Sequence, residues 1–566
     1  EEPIKEFDFS IFNKELGPPN SRFESCLNDI FTDNSEFDET QINQINDQYA
    51  TTGQIQETDL TAIQDMGFKT VICFRPEEED ADTQPNQLKI KEKLKSLGIE
   101  YFAIPVIPGN ITPDNIHQFK DIYNQSPKPI LGHCRSGNRA IKMFEAIQNQ
   151  SQTHQADACN WTEAYDVVII GGGAGGIGVA ASLLKRRKAL RIALVVPNEY
   201  HYYQPSWTLV GAGAYQAKKS QRLMSKVMPK GVDWIRASVT KVDPEKNQIL
   251  LNDQRIVPYV QLIVAPGLVL DWEAIQGLKE TLGKNGVTSN YDFEHAQYTW
   301  ELVQNLKAGK AIFTQPPMPI KCAGAPQKAM YLSSSYWEKQ KKLGLIDVEF
   351  NNAGPVLFGV ADFVPPLMEY VNRYDIHLNF NSNLVEVDGK NKVAYFESKK
   401  EDGSVDRIKK DFDMLHVVPP QKAPTFVKES NLSDDAGWLD VNQVTLQHKK
   451  YPNIFGVGDV INSPNAKTAA AARKQIVVVA NNLIASKELR EMTTKYDGYG
   501  ACPLTVELGK VVLAEFGFGG RLLPTFPLNP TVARRFSWFL KAVVMPWLYW
   551  NLMLKGIEWL AKPKQD

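Results

Sequence analysis

Short apolar runs alternate with helix-periodic polar segments in the first quarter of the chain. This pattern predicts strands at 70–74, 99–105 and 129–132 and helices at 58–66, 88–97, 112–123 and 139–148. Strands that alternate with helices are typical of a parallel sheet with helices on its faces. We therefore expect a small α/β domain over residues 46–150. Residues 1–45 are acidic and aperiodic, and we interpret them as an N-terminal extension.

A polar, aperiodic stretch, residues 151–163, forms a linker to a second and longer α/β unit. That unit, residues 164–485, opens on a predicted buried strand, YDVVII. Residues 486–566 form a turn-rich segment and an aromatic, basic tail. A chain of 566 residues is long enough for about two to four domains, in agreement with this division.

A glycine-rich loop, Gly171–Gly176, follows the first strand of the longer unit and leads into a predicted helix. Its sequence fits G-x-G-x-x-G in the strand–turn–helix setting that dinucleotide sites require. Gly171 permits the tight turn, Gly173 lets the backbone approach a pyrophosphate, and Gly176 lets the helix pack on the strand. The sequence therefore predicts a dinucleotide site, although Val196 stands where an acid for the ribose is expected. Asn198 and Glu199 are the alternative ribose contacts.

A second cofactor signal lies near the end of the longer unit, where a predicted strand closes on Gly458 and Asp459. Asp459 would accept hydrogen bonds from ribityl hydroxyls. The helix N-terminus near Lys467 and Thr468 would stabilise negative charge on a reduced flavin ring. Together with the glycine loop, this pattern favours FAD over NAD.

The segment after the predicted strand 311–314 is rich in proline and has no second glycine fingerprint. Prolines cannot supply the N–H donors that a second pyrophosphate would need. Cys322 stands in this segment, where nicotinamide phosphates would otherwise bind. The sequence therefore indicates that the electrons come from a species that a thiol can attack and not from NADH.

The amino-acid composition is that of an ordinary globular protein. The chain is 43% hydrophobic and 23% charged with a net charge of −2, which excludes collagen-like, wholly disordered and strongly nucleic-acid-binding classes. Its six cysteines have neither the spacing of a zinc site nor that of a dense disulfide framework, so no metal is expected. The chain begins with Glu and not Met, which is consistent with removal of a targeting sequence.

The aromatic tail, residues 536–560, is dense in Trp and Leu, is flanked by Lys and Arg, and is broken by Pro546. This pattern predicts two short amphipathic helices that lie among lipid headgroups. The longest apolar run, residues 542–550, is far below the roughly 20 residues that a spanning helix needs. A helix for domain docking or dimerisation is the alternative.

Four segments of the second half resemble the mitochondrial type of sulfide:quinone oxidoreductase. They are HYYQPSWTLVGAG (201–213), IKCAGAPQKAMYLS (320–333), TLQHKKYPNIFGVGD (445–459, with KTAAA at 467–471) and YDGYGACPL (496–504). The likeness covers residues 163–560. It implies a tandem Rossmann-like, two-dinucleotide-binding flavoprotein of the α/β class. The FAD contacts that it implies are Ala174, Gly175, Gln204, Val239, Asp459 and Lys467.

The resemblance also implies a reaction cycle that uses two cysteines, Cys322 and Cys502, 180 residues apart. One cysteine takes up sulfide as the other leaves, and the resulting persulfide passes its electrons to FAD and then to ubiquinone. Lys321 and Lys328 are candidates to lower the pKa of Cys322. The sulfane sulfur would pass to an acceptor such as glutathione or sulfite, with cyanide and Cys134 itself as further alternatives.

The same resemblance implies a peripheral or monotopic enzyme of the mitochondrial inner membrane, with a bacterial cytoplasmic membrane as the alternative. Its expected partners are hydrogen sulfide, ubiquinone and the membrane surface, and association with respiratory chain complexes is left open. Two other functions are alternatives. One is a type II NADH:quinone dehydrogenase-like flavoenzyme with an N-terminal phosphatase, and the other is an accessory subunit of a respiratory assembly.

The N-terminal domain carries its own reactive motif, in which a predicted strand leads through Cys134 to Arg139 and a helix. The loop N–H groups and the helix dipole would favour a thiolate and cradle an anion. With the segments TTGQIQ (51–56) and FKTVICFRP (68–76), the domain resembles the small dual-specificity-phosphatase-like family found fused to sulfur enzymes. Arg139 follows Cys134 by five residues, as in a rhodanese loop, whereas the phosphatase signature places the arginine one residue later. We therefore expect persulfide transfer, with Arg135 and Arg139 binding the anion, and keep a phosphatase and a non-catalytic domain as alternatives.

Overall fold

The computed structural model describes residues 42–77, 79, 84–108, 111–153, 163–400 and 403–561. The chain divides into two compact units, Glu1–Cys159 and Asn160–Asp566. Most of the expected N-terminal extension and most of the expected linker lie outside the described residues.

A five-stranded sheet forms the first unit, in the spatial order first, second, fifth, third and fourth strand along the chain. The strands are Asn43–Asn46, Tyr49–Thr52, Thr70–Cys73, Glu100–Ala103 and Ile130–His133. The α-helices are Leu60–Asp65, Gln87–Ser96, Pro113–Gln125 and Asn138–Thr153. The first two strands pair antiparallel and the other pairs are parallel, so the predicted small α/β fold is confirmed.

The central strand of this sheet, Ile130–His133, positions the reactive loop. It pairs with Tyr49–Thr52 on one side and Thr70–Cys73 on the other, and all four of its residues are buried. Its carboxyl end leads directly into Cys134 and the last helix of the unit. The sequence did not predict the opening hairpin, because its edge strand Asn43–Asn46 is polar and mostly exposed.

The second unit begins with a seven-stranded sheet. Its strands are Tyr165–Ile170, Ile192–Val195, Val232–Ile235, Val239–Asp243, Gln248–Leu251, Ile256–Val264 and Ile454–Gly456. Tyr165–Ile170 pairs in parallel with Ile192–Val195 and with Ile256–Val264, and this central place buries most of its side chains. The glycine loop leaves the carboxyl end of this strand, where ligands bind to open α/β sheets.

A second parallel sheet has five strands, which are Val287–Thr288, Gly309–Gln315, Ile346–Asn352, His377–Phe380 and Met414–His416. Among the described residues, four small antiparallel sheets complete the unit. Three have two strands, which are Tyr200–Tyr202 with Gln221–Leu223, Val269–Leu270 with Gln421–Lys422, and Gly500–Glu507 with Lys510–Phe516. The fourth has three strands, which are Ser382–Asp388, Val393–Lys399 and Val405–Asp411. The α-helices are Ala174–Arg186, Trp207–Val210, Met224–Val227, Leu278–Thr281, Phe293–Asn305, Ala325–Lys339, Val364–Arg373, Thr425–Lys428, Ala469–Lys487, Arg535–Phe539 and Met545–Asn551. The seven-stranded sheet is parallel apart from its two antiparallel pairs around Gln248–Leu251. Two sheets with parallel centres within one unit confirm the predicted tandem Rossmann-like fold.

The C-terminal tail is one helical segment with a wider turn in its middle. The helix Arg535–Phe539 continues through the π-helical turn Leu540–Val544 into the helix Met545–Asn551. The wider turn directly precedes Pro546, whose ring would clash with the carbonyl four residues earlier in a regular α-helix. The sequence had predicted two helices separated at Pro546. In the structure Pro546 instead widens one continuous helical segment.

The tail presents one face to the second unit and the other to solvent. Tyr549, Trp550, Met553 and Leu554 belong to the hydrophobic core around the seven-stranded sheet. The exposed apolar side chains of the tail are Phe536, Val543, Trp547, Ile557, Trp559 and Leu560. Within the part of the chain that the structure describes, no helix has the length and apolarity to cross a membrane. The tail is thus part of the folded unit, and the face that carries these apolar side chains remains uncovered.

Candidate active site

The two cysteines of the second unit, Cys322 and Cys502, meet in the structure. Cys322 lies between the strand Gly309–Gln315 and the helix Ala325–Lys339, and Cys502 lies in the strand Gly500–Glu507. Their Sγ atoms are 3.8 Å apart. That distance exceeds the about 2.05 Å of a disulfide bond, so both residues are thiols in this structure. The structure thus brings together two thiols that are 180 positions apart.

The backbone around Cys322 is shaped for this close approach. A Cβ at Gly324 would overlap the Sγ of Cys502, so only glycine leaves room for the second sulfur. Cys322 itself has a φ of +50°, a left-handed conformation that is uncommon for residues other than glycine. Its N–H donates to the Lys467 carbonyl at 2.8 Å, and its carbonyl accepts from the Tyr291 hydroxyl at 3.2 Å. These bonds hold the residue in its unusual conformation.

A buried ammonium lies beside the thiol pair. Lys328 donates to the Sγ of Cys322 at 3.2 Å, although its own side chain is only 1% exposed. The hydrogen bond from Cys502 and the charge of Lys328 hold the pKa of Cys322 well below its usual range, against the effect of burial. The same bond and burial raise the pKa of Cys502. At neutral pH we therefore expect Cys322 as a thiolate and Cys502 as a thiol.

A second buried ammonium comes from the C-terminal tail. Lys541 is 3% exposed, donates to the Pro205 carbonyl at 2.7 Å, and adds a favourable charge interaction with the Cys322 thiolate. Burial and the repulsion from Lys328 lower the pKa of Lys541 to about 7. Sequence reasoning missed this residue, because a lone lysine in an apolar helix usually extends its ammonium to water. Its only signal was its position inside the run FSWFLKAVV.

Lys321, the other lysine expected to activate the thiol, has different partners. Its Nζ donates to the Oε1 of Gln204 at 2.7 Å. It also lies 5.7 and 5.5 Å from the ring centroids of Trp207 and Tyr291. Burial lowers the pKa of Lys321 to about 8. Of the two expected lysines, Lys328 is therefore the one that contacts the reactive sulfur.

The glycine loop leaves open space for a phosphate. Gly171 has a φ of +104°, and a Cβ there would overlap the Ala265 carbonyl. A Cβ at Gly176 would overlap the Gly171 carbonyl, so the helix that begins at Ala174 packs tightly on its strand. By contrast, a Cβ at Gly173 meets no atom within 4 Å. A pyrophosphate would fill this cradle at the helix N-terminus, so the residues present fit FAD.

The ribose end of the cradle differs from the usual arrangement. Val196 is 3% exposed, and its methyl groups lie close to Gly172 in the core. The strand end that usually presents an acid therefore presents a packing residue. Asn198 is exposed and Glu199 is half-buried, so both remain candidates for the ribose. Val239 is also half-buried, at the start of its strand.

The loop that carries Asp459 and Lys467 joins the cradle to the thiol pair. The Nζ of Lys467 donates to the Asp459 carbonyl at 2.7 Å. Burial lowers the pKa of Lys467 to about 8 and raises the pKa of Asp459. Thr468 caps the helix Ala469–Lys487 with its side-chain oxygen. Because the Lys467 carbonyl also accepts from the Cys322 N–H, the expected flavin contacts and the thiol form one site.

In the first unit, Cys134 begins the loop between the central strand and the last helix, and its side chain is buried. Arg139 donates to the Oε2 of Glu79 at 2.7 Å. Arg75 donates to the same oxygen, also at 2.7 Å, while Arg135 is exposed. The arginine expected to bind an anion therefore already has a carboxylate partner, which the sequence did not indicate.

We expect Lys328→Met to raise the pKa of Cys322, because the variant removes the cation that stabilises the thiolate. A hydrogen bond to a charged group contributes about 1.5 to 3 kcal/mol, which corresponds to roughly 1 to 2 pKa units. The measurement is the rate of Cys322 alkylation by iodoacetamide as a function of pH, followed by mass spectrometry. A thiolate is present only above its pKa, so the midpoint of the rate profile should move to higher pH. Lys339→Met, at the exposed end of the same helix, is the control, and an unchanged midpoint in Lys328→Met would contradict the assignment.

Comparison with protein families agrees with the division into two units. Residues 41–151 match the family model of the phosphatase-like domain of beta-lactamase hydrolase-like proteins. Residues 165–309 match the pyridine nucleotide-disulphide oxidoreductase family. These matches confirm the predicted phosphatase-like N-terminal domain and the predicted FAD-dependent oxidoreductase.

Known proteins match most of the second unit. The mitochondrial sulfide:quinone oxidoreductase of Mus musculus is 42% identical over 405 residues, which cover 72% of this chain and 90% of the relative. That of Dictyostelium discoideum is also 42% identical, over 70% of this chain and 87% of the relative. The X-ray structure of the sulfide:quinone oxidoreductase of Aquifex aeolicus shares the fold, with a TM-score of 0.59 at 19% identity over 70% of this chain and 92% of the other. The chain belongs to the sulfide:quinone oxidoreductase family.

Proposed function

We propose that Cys322 and Cys502 are the groups that oxidise sulfide and that the electrons leave through FAD to a quinone. The observation that carries this proposal is the 3.8 Å distance between the two sulfurs, beside the buried ammonium of Lys328. Two sulfurs this close can alternate between two thiols and one disulfide, which is a two-electron change. Hydrosulfide is a sulfur nucleophile, so it can cleave such a disulfide by exchange.

The difference between the two thiols decides which sulfur takes up sulfide. Hydrosulfide attacks one sulfur of the disulfide, and the sulfur of lower thiol pKa leaves more readily as a thiolate. Cys322 is that leaving group, because the bond from Cys502 and the charge of Lys328 hold its pKa low. The new S–S bond therefore forms on Cys502, which becomes the persulfide, while Cys322 becomes the thiolate.

The cycle then closes in two further steps. An acceptor thiolate or sulfite attacks the outer sulfur of the Cys502 persulfide and takes it from Cys502. The product of the acceptor then contains the sulfur atom and the proton that entered as hydrosulfide. Cys502 leaves this step as a thiolate and takes up a proton, because its pKa is raised. Re-forming the disulfide with Cys322 then releases two electrons and that proton. When bound, FAD would supply the two-electron acceptor for this step and the relay to the quinone. Glutathione and sulfite both have the chemistry that the acceptor step requires.

The segment before Cys322 argues against NADH as the electron donor. The strand Gly309–Gln315 is followed by Pro316, Pro317 and Pro319, none of which has an N–H to offer a second pyrophosphate. A thiol therefore stands where a nicotinamide dinucleotide would need backbone donors. This favours sulfide oxidation over a type II NADH dehydrogenase-like reaction.

Sulfur transfer is the function that we assign to Cys134 in the first unit. Glu79 offsets the charge of both Arg75 and Arg139, which leaves less positive charge than a phosphate dianion needs. A persulfide or a singly charged sulfur species carries less charge than a phosphate ester. The five-residue spacing from Cys134 to Arg139 supports the same function, and phosphate-ester hydrolysis remains the alternative.

The uncovered face of the tail supports attachment to a membrane. Trp547 and Trp559 are 56% and 53% exposed, and Trp prefers the headgroup region of a bilayer. The relatives from Mus musculus and Dictyostelium discoideum are mitochondrial by name, which favours the mitochondrial inner membrane and ubiquinone over a bacterial membrane. Attachment through the tail would bring the lipid-soluble quinone close to the unit that holds the thiol pair.

Replacing either active-site cysteine, by Cys322→Ala or Cys502→Ala, should lower sulfide-dependent quinone reduction by about 100-fold or more, because each change removes one half of the disulfide. FAD should stay bound in both variants. Quinone absorbance reports the activity, and the flavin spectrum reports the cofactor. Cys73→Ala, a buried cysteine of the first unit, is the matched control and should retain full activity. Retained turnover in Cys322→Ala or Cys502→Ala would rule out the pair.

Cys134→Ser in the full chain should abolish the catalysed transfer of sulfur from glutathione persulfide to cyanide, because a hydroxyl cannot carry a persulfide. Quinone reduction should not change, since it depends on the other unit. Cys73→Ser, on the neighbouring strand, is the control for a lost thiol. If the chain hydrolyses phosphate esters in a way that depends on Cys134 and transfers no sulfur, the domain is a phosphatase and the proposed sulfur transfer is wrong.

The double variant Trp547→Glu, Trp559→Glu should bind phosphatidylcholine–cardiolipin vesicles less well, because it places two charges on the face that would enter the headgroup region. A flotation assay measures the bound fraction. Leu345→Glu, which changes an exposed apolar residue outside the tail, is the control. Undiminished flotation of the double variant would show that another surface binds the membrane.

A further inference from the structure

A chain of hydrogen bonds connects the C-terminal tail to the glycine loop. The Nδ1 of His201 lies 2.8 Å from the Gly172 carbonyl oxygen, and its Nε2 lies 2.6 Å from the Tyr549 hydroxyl. Both side chains are buried, with His201 2% and Tyr549 5% exposed. The family resemblance assigns no role to these residues, and neither of them reaches the thiol pair in the mechanism described above.

The chemistry of the three groups fixes the position of each proton. A backbone carbonyl can only accept, so the Nδ1 of His201 carries the proton and Nε2 is the acceptor. The Tyr549 hydroxyl therefore donates to Nε2. Burial lowers the pKa of His201 to about 4, so the neutral ring that this arrangement needs persists at physiological pH.

The peptide bond after Gly172 turns this chain of bonds into a positioning device. In a trans peptide the carbonyl and the following N–H point in opposite directions. With the Gly172 carbonyl held toward His201, the N–H of Gly173 points away from it. The space beside Gly173 is open, so that N–H is available to a phosphate oxygen.

The end of the tail is attached to the same cofactor-binding element by a second set of bonds. Glu558 accepts from the hydroxyl of Ser182 at 2.6 Å and from the Nη2 of Arg186 at 2.9 Å. Ser182 and Arg186 lie in the helix Ala174–Arg186, which begins at the glycine loop. The tail is therefore bonded to this element indirectly at the loop, through His201, and directly near the far end of the helix.

We propose that His201 and Tyr549 are positioning residues for FAD, through which the docked tail holds the Gly173 N–H in the direction that a phosphate requires. This inference rests on the proposed assignment of the glycine loop to FAD. It goes beyond that assignment, because retention of FAD would then depend on the C-terminal tail. The outer face of that tail is the one that exposes large apolar side chains. A tail that is displaced from the unit would release the carbonyl and, with it, the cofactor.

The test is the rate at which FAD leaves the holoenzyme, followed by the rise in flavin fluorescence after dilution. Tyr549→Phe keeps the ring and removes the hydroxyl, and we expect FAD to leave about 3 to 10 times faster. Tyr203→Phe is the matched control, because Tyr203 packs on Tyr549 with ring centroids 4.7 Å apart. Both ring nitrogens of His201 have other partners, so this control removes a buried hydroxyl without changing the hydrogen bonds of His201. Equal release rates in Tyr549→Phe and Tyr203→Phe would overturn the inference.

Two substitutions of His201 separate hydrogen bonding from packing. His201→Asn keeps a side-chain N–H that can reach the Gly172 carbonyl, whereas His201→Leu keeps none. We expect FAD to leave fastest from the Leu variant and at an intermediate rate from the Asn variant, with tryptophan fluorescence confirming that the fold is intact. Equal rates in the two variants, or release that only follows unfolding, would contradict the positioning role.

A further variant, Gly173→Val, keeps this test separate from the test of the FAD site. A side chain at this position would occupy the space left for the phosphate, so FAD binding should be lost. Normal FAD binding by Gly173→Val would refute the assignment of the loop itself. If Gly173→Val loses FAD and Tyr549→Phe behaves like Tyr203→Phe, the loop assignment stands and the positioning role falls.

Discussion

A fully buried ammonium needs a compensating anion beside it, and this constraint shapes the centre of the second unit. An isolated buried charge costs several kcal/mol, and removing one partner of a buried pair costs about 3 to 5 kcal/mol. Lys328 is held almost fully inside the protein at 3.2 Å from the Cys322 sulfur, so each charge compensates the other. The left-handed backbone of Cys322 and the glycine at 324 follow from the same need, since they bring the second sulfur against the first without displacing the ammonium.

Three separated parts of the chain meet around that pair of charges. The loop before the helix Ala325–Lys339 supplies Cys322, a hairpin strand supplies Cys502, and the tail supplies Lys541. The tail has a double role, because its inner face completes the core of the unit while its outer face exposes Trp and other large apolar side chains. The proposed membrane attachment and the proposed control of cofactor retention therefore involve the same segment that contributes Lys541 to the sulfur site.

Local patterns in the sequence were sufficient for much of this account. The strand–glycine–helix pattern predicted the parallel sheet and the open cradle at Gly173, and the missing second fingerprint singled out Cys322. Contacts between distant residues have no local pattern, so the sequence missed Lys541 and the bond between His201 and Tyr549, which are 348 positions apart. It also missed the carboxylate of Glu79 that pairs with an arginine 60 positions away. The prediction of a break at Pro546 was wrong because a helix can widen by a π-turn and still continue.

The central claim is that electrons enter the flavoprotein through the thiol pair. Its most direct test is an anaerobic titration of the holoenzyme with sulfide or with NADH. The absorbance band of the oxidised flavin, at about 450 nm, is followed during each addition. The account predicts that sulfide bleaches the flavin band and that NADH leaves it unchanged. Bleaching by NADH, with no response to sulfide, would contradict the account.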